Sequence, residues 1–315
     1  MRTTIGHVAV VGCGLIGSGW ASWFLARGLT VTCHDPAPGS EARARRAVAA
    51  DLSQMGVSEA DQRQLMARMN FESDLAKAVS TASWIQESAP EDVLLKREVI
   101  NRIDESAPPD VVIASSTSSI KVSDLQTGMS RPARLVAGHP FLPVPLIPLV
   151  EVVGGGATSA TVVDLAMAFY RSVGKQPIRL NQEITGHVAN RLQAALMREA
   201  FFLLQQGIAS ASDIDIALTE GPGLRWAATG PFVSHLLAGG EGGARQAFAN
   251  LGEAMKNMWA NLGATVMTPE LEALVIAGAE ECLAHKSQAR WAEERRRVVR
   301  AVQREKMLLA KGDEQ

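Results

Sequence analysis

The sequence predicts an α/β fold in which a doubly wound sheet fills the first domain and an all-helical domain follows. Three observations lead to this prediction. Residues 7–35 have the pattern of a strand, a glycine turn, a helix and a second strand; further β-branched runs alternate with helical patterns; and the strand signals stop near residue 180. We therefore expect two domains, 1–180 and 181–315, which suits a chain of 315 residues.

The first β-α-β unit carries a glycine motif. Residues 12–17 read GCGLIG after a β-branched strand, and Asp35 ends the next strand. Gly12 would allow the tight turn, Gly14 would let the backbone approach a pyrophosphate, and Gly17 would let the helix pack closely on the strand. The predicted cofactor-binding residues are Gly12, Gly14, Leu15, Ile16, Gly17 and Asp35.

This context predicts a Rossmann-type domain that binds NAD. The helix N-terminus would supply N–H donors for the phosphates. Asp35 would accept hydrogen bonds from the ribose hydroxyls and repel a 2′-phosphate, which favours NAD over NADP. Asp35 could instead cap a helix before Pro36. Arg43, Arg45 and Arg46 could hold a 2′-phosphate, although we favour the exposed side of the next helix for them.

The remaining strand candidates are short runs that are mostly separated by helical patterns. Strands that alternate with helices favour a parallel sheet. The runs are residues 83–88, 110–115, 134–139, 149–153 and 176–180.

Residues 138–153, GHPFLPVPLIPLVEVV, are almost wholly apolar but include His139 and Glu151. The prolines fit a stiff connection between two strands. His139 ends a β-branched run, where a doubly wound sheet builds ligand sites. A buried carboxylate beside it would hold the tautomer and stabilise the imidazolium formed when the histidine takes a proton from an alcohol. The alternative is an ordinary hydrogen-bonded histidine of the core.

The second domain is predicted from helical patterns at residues 189–207, 244–263 and 270–283. The first pattern is apolar on more than one face, so we expect it to pack between other elements or across a subunit interface. This predicts a homodimer formed through the C-terminal domain. In the basic tail, residues 285–312, glutamates interleave with arginines, which is typical of a solvated helix face.

Composition limits the compartment and the partners. The chain is 47% hydrophobic with a formal net charge of -2, so it has no basic field for nucleic acid. No segment has the roughly 18 uninterrupted apolar residues of a membrane-spanning helix, and the N-terminus shows no export signal. Cys13, Cys33 and Cys282 include no close-spaced pair, which predicts reduced thiols and no metal. We expect a cytoplasmic protein that binds neither nucleic acid nor membrane.

Five segments, GCGLIGSGW, ASSTSS, GHPFLP, LVEVV and GHVANR, resemble in order and spacing the 3-hydroxyacyl-CoA dehydrogenase family. The resemblance implies an NAD-dependent oxidoreductase acting on a CH–OH group, with His139 as general base and Glu151 as its partner. It also implies that Ser118 hydrogen-bonds the substrate oxygen and that Asn190 is an orienting donor. Ser118 could instead cap a helix begun at Ile120, and Asn190 could be a buried polar group of a helix.

Two positions depart from the acyl-CoA pattern, because Ser116 and Leu142 stand where that family has asparagine. Residues 219–243, TEGPGLRWAATGPFVSHLLAGGEGG, resemble the branch that contains lambda-crystallin, L-gulonate 3-dehydrogenase and L-carnitine dehydrogenase. This branch implies a free hydroxy acid as the small-molecule substrate.

A free acid gives Arg225 a role. We expect Arg225 in a loop between helices, where its guanidinium could clamp a substrate carboxylate; the alternative is a salt bridge at the surface or between domains. Trp226 and Phe232 could face a quaternary ammonium, or they could belong to the core.

The function we expect is NAD-dependent oxidation of the 3-hydroxyl of a short L-3-hydroxy acid to the 3-keto compound, with L-carnitine as the first candidate substrate. The alternatives are a short-chain 3-hydroxyacyl-CoA (3-hydroxybutyryl-CoA) dehydrogenase, an L-gulonate 3-dehydrogenase and a crystallin-like NAD-binding structural protein. A 3-hydroxyisobutyrate dehydrogenase would need a lysine at the start of the interdomain helix, and residues 183–191 contain none.

Overall fold

A computed structural model describes residues 5–284 and 286–312 of the chain. The chain divides into two compact units, the first running to Arg191 and the second beginning at Leu192. The domain boundary that we expect near residue 180 stays a prediction. All three cysteines are free. Within the described ranges, no helix has both the length and the apolar character that crossing a bilayer requires.

The first unit contains one eight-stranded sheet in the order β3-β2-β1-β4-β5-β6-β7-β8. The order reverses between β1 and β4, which is the point where doubly wound sheets bind ligands. The predicted doubly wound sheet followed by a helical region is confirmed. The strands are β1 His7–Val11, β2 Thr30–His34, β3 Met69–Phe71, β4 Trp84–Glu87, β5 Ile113–Ser115, β6 Leu135–Pro140, β7 Leu149–Gly154 and β8 Gln176–Arg179.

One pair departs from the parallel arrangement that the sequence predicts, because β6 and β7 are antiparallel. Only residues 141–148 join these strands, and a parallel return would need a crossover of about a dozen residues or more. The proline-rich segment is therefore a short turn between two neighbouring strands. Lys175 Nζ donates to the carbonyls of Val144 and Ile147 and thereby fastens this turn.

Helices cover both faces of the sheet, and each face has its own core. On β1, Val8 and Val10 belong to one buried cluster, whereas Ala9 and Val11 belong to the other. This alternation follows from the two-residue period of a strand. The helices of the first unit are α1 Leu15–Ala26, α2 Ser40–Gln54, α3 Glu59–Met66, α4 Leu75–Ser80, α5 Val93–Ser106, α6 Val122–Leu125 and α7 Ala160–Ser172, with a 3-10 turn at Pro132–Arg134.

The remaining elements are helical, as the sequence predicts. Helix α8 contains no buried residue, and Arg290 and Glu294 of α14 form an exposed ion pair of 3.2 Å. Residue 285 of the basic tail lies outside the described residues. The helices are α8 Ala189–Gln205, α9 Ala211–Thr219, α10 Pro222–Ala228, α11 Pro231–Ala238, α12 Gly243–Asn261, α13 Pro269–Leu283 and α14 Gln288–Gly312, with a 3-10 turn at Gly240–Gly242.

Candidate active site

The glycine loop between β1 and α1 is tightly packed at Gly12 and Gly17 and open at Gly14. Gly12 has a φ of +89°, and a Cβ on it would lie 2.6 Å from the carbonyl of Ser88. A Cβ on Gly17 would lie 1.8 Å from the carbonyl oxygen of Gly12, so only glycine lets α1 pack here. Around Gly14, by contrast, no described atom lies within 4 Å of an added Cβ. The backbone at Gly14 is therefore open to a ligand.

The start of α1 suits an anion. No side chain caps this helix end, and its first turn, which includes Leu15 and Ile16, contains no acidic residue. The first N–H groups of the helix, at its positive dipole end, are thus available to a pyrophosphate. The cradle of residues 12–17 fits the diphosphate of a dinucleotide.

Asp35 lies against the same loop. Its Oδ2 accepts a hydrogen bond from the Cys13 N–H at 2.8 Å, and its Oδ1 accepts one from the Ala37 N–H at 2.9 Å. Because α2 begins only at Ser40, with Gly39 as its N-cap, Asp35 does not cap that helix. The carboxylate stands where a ribose diol would follow the pyrophosphate.

His139 and Glu151 face each other across β6 and β7. They are direct partners in the antiparallel register, and His139 Nδ1 lies 2.9 Å from Glu151 Oε2. His139 is 5% exposed and Glu151 0%. An ionised carboxylate only accepts hydrogen bonds, so Nδ1 carries the proton and Nε2 is left as the acceptor nitrogen. Among the described residues, Nε2 of His139 has no hydrogen-bond partner.

Glu151 is held by a helix end as well as by the histidine. Its Oε1 accepts hydrogen bonds from the N–H groups of Val188 and Ala189, each at 2.9 Å, where α8 begins. Burial alone would raise the pKa of Glu151, but the hydrogen bonds from His139, Ala189 and Val188 outweigh it and bring the pKa below its ordinary value. The carboxylate is therefore ionised and fixes the tautomer of His139.

Ser118 lies in a turn after β5 that a carboxylate organises. Oε1 of Glu91 accepts hydrogen bonds from Thr117 Oγ1 at 2.8 Å, the Ser118 N–H at 2.9 Å and the Ser119 N–H at 2.8 Å. Burial opposes ionisation of Glu91, but these bonds and the charge of Lys96 lower its pKa to about 2. Because α6 begins at Val122, Ser118 is not the cap of a helix begun at Ile120.

Sequence analysis did not select Glu91, whose only signal was a position just after strand β4. The carboxyl ends of parallel strands lie at one edge of the sheet, so residues after β4 and after β5 meet there. Sequence analysis also did not select His187 as a site residue, although this histidine is buried, with 3% exposure. The ring centroids of His187 and His139 are 5.0 Å apart, and His187 Nε2 lies 3.0 Å from the carbonyl oxygen of Thr117.

Asn190 lies in the first turn of α8 and is half-buried. It directly follows Ala189, whose N–H binds Glu151, and Ser118 directly follows Thr117, whose carbonyl binds His187. Asn190 and Ser118 are therefore each the sequence neighbour of a residue that takes part in the hydrogen bonds around His139.

The two positions that depart from the acyl-CoA pattern differ in environment. Ser116 is buried, and its Oγ accepts a hydrogen bond from Gln86 Nε2 at 2.9 Å, while Tyr170 donates to the Gln86 side-chain oxygen at 2.7 Å. Leu142 is 48% exposed. Ser116 thus belongs to a buried polar network, whereas Leu142 presents an apolar surface.

Arg225 belongs to the second unit and lies within α10, not in a loop as the sequence analysis expects. Pro222 stands at the start of α10, where its fixed φ favours the helix. Trp226 is 46% exposed and Phe232 90%, so Phe232 is not a core residue. The second unit has a cleft of about 770 Å³ lined by Arg225, Trp226, Ala228, Thr229, Pro231, Ser234, His235, Leu237 and Ala238.

No group of three or more metal-binding side chains is found in the part of the chain that the structure describes. The arrangement offers two kinds of chemistry. The glycine loop and Asp35 can hold a dinucleotide, and the His139–Glu151 pair can accept a proton from a hydroxyl.

Comparison with known proteins identifies the family of the chain. Residues 7–184 match the NAD-binding domain of the 3-hydroxyacyl-CoA dehydrogenase family, and residues 186–270 match its C-terminal domain. The chain is 47% identical to an L-carnitine dehydrogenase of Streptomyces coelicolor, covering 93% of this chain and 92% of that one.

Solved structures show the same fold. A 5-formyl-3-hydroxy-2-methylpyridine 4-carboxylic acid 5-dehydrogenase, an NAD+-dependent dismutase, superposes with a TM-score of 0.80 at 27% identity, covering 96% of this chain and 98% of that one. An (S)-3-hydroxybutyryl-CoA dehydrogenase of Ralstonia eutropha has a TM-score of 0.65 at 28% identity, covering 83% and 96%. The chain belongs to the 3-hydroxyacyl-CoA dehydrogenase family and is an NAD-dependent oxidoreductase acting on CH–OH groups.

Proposed function

We propose that this chain is an L-carnitine 3-dehydrogenase, which oxidises the 3-hydroxyl of carnitine to a ketone. The observation that carries the proposal is the near full-length identity of 47% with an L-carnitine dehydrogenase, combined with a buried His139–Glu151 pair. NAD, when bound along the glycine loop and Asp35, supplies the hydride acceptor. We propose that residues 1–180 form the NAD-binding domain and that residues 181–315 form the substrate and dimerisation domain.

His139 is the proposed general base. Its Nε2 takes the proton of the 3-hydroxyl while the C3 hydrogen leaves as hydride, so that the alcohol becomes a ketone and the imidazole an imidazolium. The ionised Glu151 stabilises that imidazolium through the 2.9 Å contact at Nδ1. Ser118 hydrogen-bonds the substrate oxygen, and Asn190 is the proposed orienting donor.

Arg225 is the proposed clamp for the substrate carboxylate, since a guanidinium binds a carboxylate through two parallel hydrogen bonds. It lines a cleft with the half-exposed Trp226, and Phe232 is nearby in sequence on α11. The proposed role of Trp226 and Phe232 is cation–π contact with the quaternary ammonium of the substrate.

The test is NADH formation with carnitine, gulonate, 3-hydroxybutyrate and 3-hydroxybutyryl-CoA under identical conditions. We expect carnitine to have the highest kcat/KM. Turnover of the thioester alone would overturn the proposal in favour of the acyl-CoA alternative, which the fold of the (S)-3-hydroxybutyryl-CoA dehydrogenase of Ralstonia eutropha supports.

A second test is the Arg225→Met variant, for which we expect KM for carnitine to rise by about 10- to 100-fold, because a charged hydrogen-bond pair is lost. Arg245→Met is the matched control, since Arg245 is an exposed arginine of the same unit outside the cleft. Equal kinetics in the two variants would exclude Arg225 from the substrate site.

We also propose that the protein is a cytoplasmic homodimer. Helix α8 has no buried residue, and its Leu192 is 61% exposed and its Leu196 38%, which is typical of a surface that a second copy covers. Three free thiols suit a reducing compartment. Replacing both leucines by glutamate should give a monomer in light scattering, whereas Leu94→Glu, at a 70% exposed site of α5, should not change the mass.

A further inference from the structure

His187 combines two unfavourable features at one position. Its φ is +50°, and it is the only non-glycine residue with positive φ in the described ranges. The left-handed region crowds the Cβ of an L-residue, and histidine enters it less readily than glycine. The backbone is therefore strained just before the start of α8.

The second feature is an unmatched hydrogen-bond acceptor. Nε2 of His187 lies 3.0 Å from the carbonyl oxygen of Thr117, and since a carbonyl only accepts, Nε2 carries the hydrogen. In the neutral ring Nδ1 is then a lone-pair acceptor. This atom is buried, and it has no hydrogen-bond partner among the described residues. A buried acceptor without a partner is unfavourable, and this one belongs to a ring beside His139.

The ring stands between two parts of the candidate site. On one side it binds the carbonyl of Thr117, the residue before Ser118. On the other side its centroid lies 5.0 Å from that of His139, with the ring planes 40° apart. The next residue, Val188, donates its N–H to Glu151. His187 thus links the Ser118 turn to both members of the pair.

The ring is neutral at ordinary pH. Burial lowers the pKa of His187; the bond to Thr117 acts against this, and a positive charge on His139 lowers the pKa further. The carboxylates that face it, Glu151 and Glu91, act in the opposite direction. A positive charge on either imidazole therefore disfavours a positive charge on the other.

We propose that His187 is a positioning residue for proton transfer: its Nε2–H fixes the Thr117–Ser118 turn, and its neutral ring beside His139 favours the imidazolium that the reaction forms. This inference rests on the proposed function of His139 as general base. A glycine at this position would remove the backbone strain, and an apolar ring would remove the unmatched acceptor. The histidine has both unfavourable features, and its Nε2–H binds the carbonyl of the residue before Ser118, which points to a role at the site.

The first experiment needs no substrate. The imidazole of His139 is titrated by NMR in 15N-histidine-labelled wild type, His187→Phe and His187→Gln. We expect the His139 titration curve to differ between wild type and the phenylalanine variant, because an apolar ring replaces the imidazole whose centroid lies 5.0 Å from that of His139. Glutamine retains an amide N–H and an acceptor oxygen and should restore part of the wild-type curve. Identical titrations in all three proteins would overturn the proposal.

The second experiment separates positioning from stability. With the best substrate of the panel, we expect kcat to fall at least about 10-fold in His187→Phe, its pH–rate profile to follow the shifted His139, and KM for NAD to stay within twofold of wild type. His187→Gly relieves the backbone strain and also removes the ring and its bond to Thr117, and we expect kcat per folded protein to fall in this variant as well. Loss of kcat only in proportion to loss of folded protein would overturn the proposal.

His7→Phe is the matched control. The His7 ring is likewise hydrogen-bonded, to Thr81 and Thr32, but it starts β1 at the amino end of the strands, away from the site. We expect wild-type kcat in this variant. If the wild type turned over no substrate of the panel, the proposed substrate would be wrong, whereas the NMR titration would still decide the role of His187.

Discussion

The two compact units differ in how they bury apolar side chains. In the first unit Trp20, Phe24 and Trp84 are all 0% exposed. Trp20 stacks on Phe24, and Trp84 packs against Phe169, within the core between sheet and helices. In the second unit the only buried hydrophobic residues in the described part are Ala247 and Leu271. The first unit therefore has a core of its own, whereas the second leaves large apolar side chains uncovered, which agrees with the homodimer proposed above.

The units also differ in where they place charge. The first contains buried pairs, with Lys96 Nζ 2.9 Å from Glu87 at 1% and 0% side-chain exposure. The second has exposed pairs such as Lys256–Glu253, at 71% and 78%. Exposed pairs contribute little, whereas removing one partner of a buried pair leaves an uncompensated charge. Removing one partner of such a pair should therefore cost more in the first unit than in the second.

The sharpest test of this difference is to remove the buried pair at the site. In His139→Ala we expect kcat to fall by about 10²- to 10⁴-fold, because the proposed general base is lost, and we expect kcat to fall in Glu151→Gln as well. NAD affinity, measured by fluorescence titration, should stay nearly unchanged because the glycine loop is intact. Glu253→Gln, which breaks an exposed pair of the second unit, should keep wild-type turnover. Wild-type turnover in either site variant would show that its assigned role is wrong.

Two phenylalanine variants, one in each unit, test the difference in burial. Phe24→Ala should lower the free energy of unfolding by about 3–5 kcal/mol, because a fully buried ring leaves a cavity. Phe248 is 57% exposed, and its ring centroid lies 4.4 Å from that of His235. Phe248→Ala should therefore lower the free energy of unfolding by less than about 2 kcal/mol at low protein concentration. Urea unfolding at two concentrations measures both. Equal losses in the two variants would contradict the comparison.

The nucleotide end of the first unit is tested through Asp35. In Asp35→Asn we expect NAD to bind about 10- to 100-fold more weakly, since hydrogen bonds to a charged acceptor are weakened, and the preference over NADP to shrink. Binding of each nucleotide is measured by isothermal titration calorimetry. Asp164→Asn, at an exposed position of α7, is the control and should bind NAD like wild type. Unchanged selectivity in Asp35→Asn would rule out the ribose contact.

The smallest effect concerns acid stability and Glu91. Its pKa is lowered from 4.5 to about 2 in the folded chain, so the unfolded chain binds the proton more readily. The stability that Glu91 contributes is therefore complete above pH 4.5 and is lost as the pH falls towards 2. We expect the melting temperature of Glu91→Gln to lie about 2–4 °C below that of wild type at pH 7, and this difference to become smaller at pH 3. A gap that stays constant in thermal scans at pH 7, 5 and 3 would contradict this.

Sequence patterns were sufficient wherever the cause is local. The glycine motif predicts its own turn because Gly12 and Gly17 have no room for a Cβ. His139 and Glu151 could be selected because they are isolated titratable groups in an apolar segment. The alternative role of Ser118 as a helix cap and the loop expected for Arg225 were wrong, since element ends depend on neighbouring turns and on prolines such as Pro222.

The alternation of strands and helices, the nucleotide motif and the family could all be predicted from the sequence, because each depends on short periods and spacings. The structure was needed to show that His139 opposes Glu151 in an antiparallel register, that Glu91 holds the turn of Ser118, and that His187 lies beside the pair. The physical reason is that these hydrogen bonds and ring contacts join segments far apart in the chain. Their geometry is set by the order of strands in the sheet and by where α8 begins, and no local pattern encodes either.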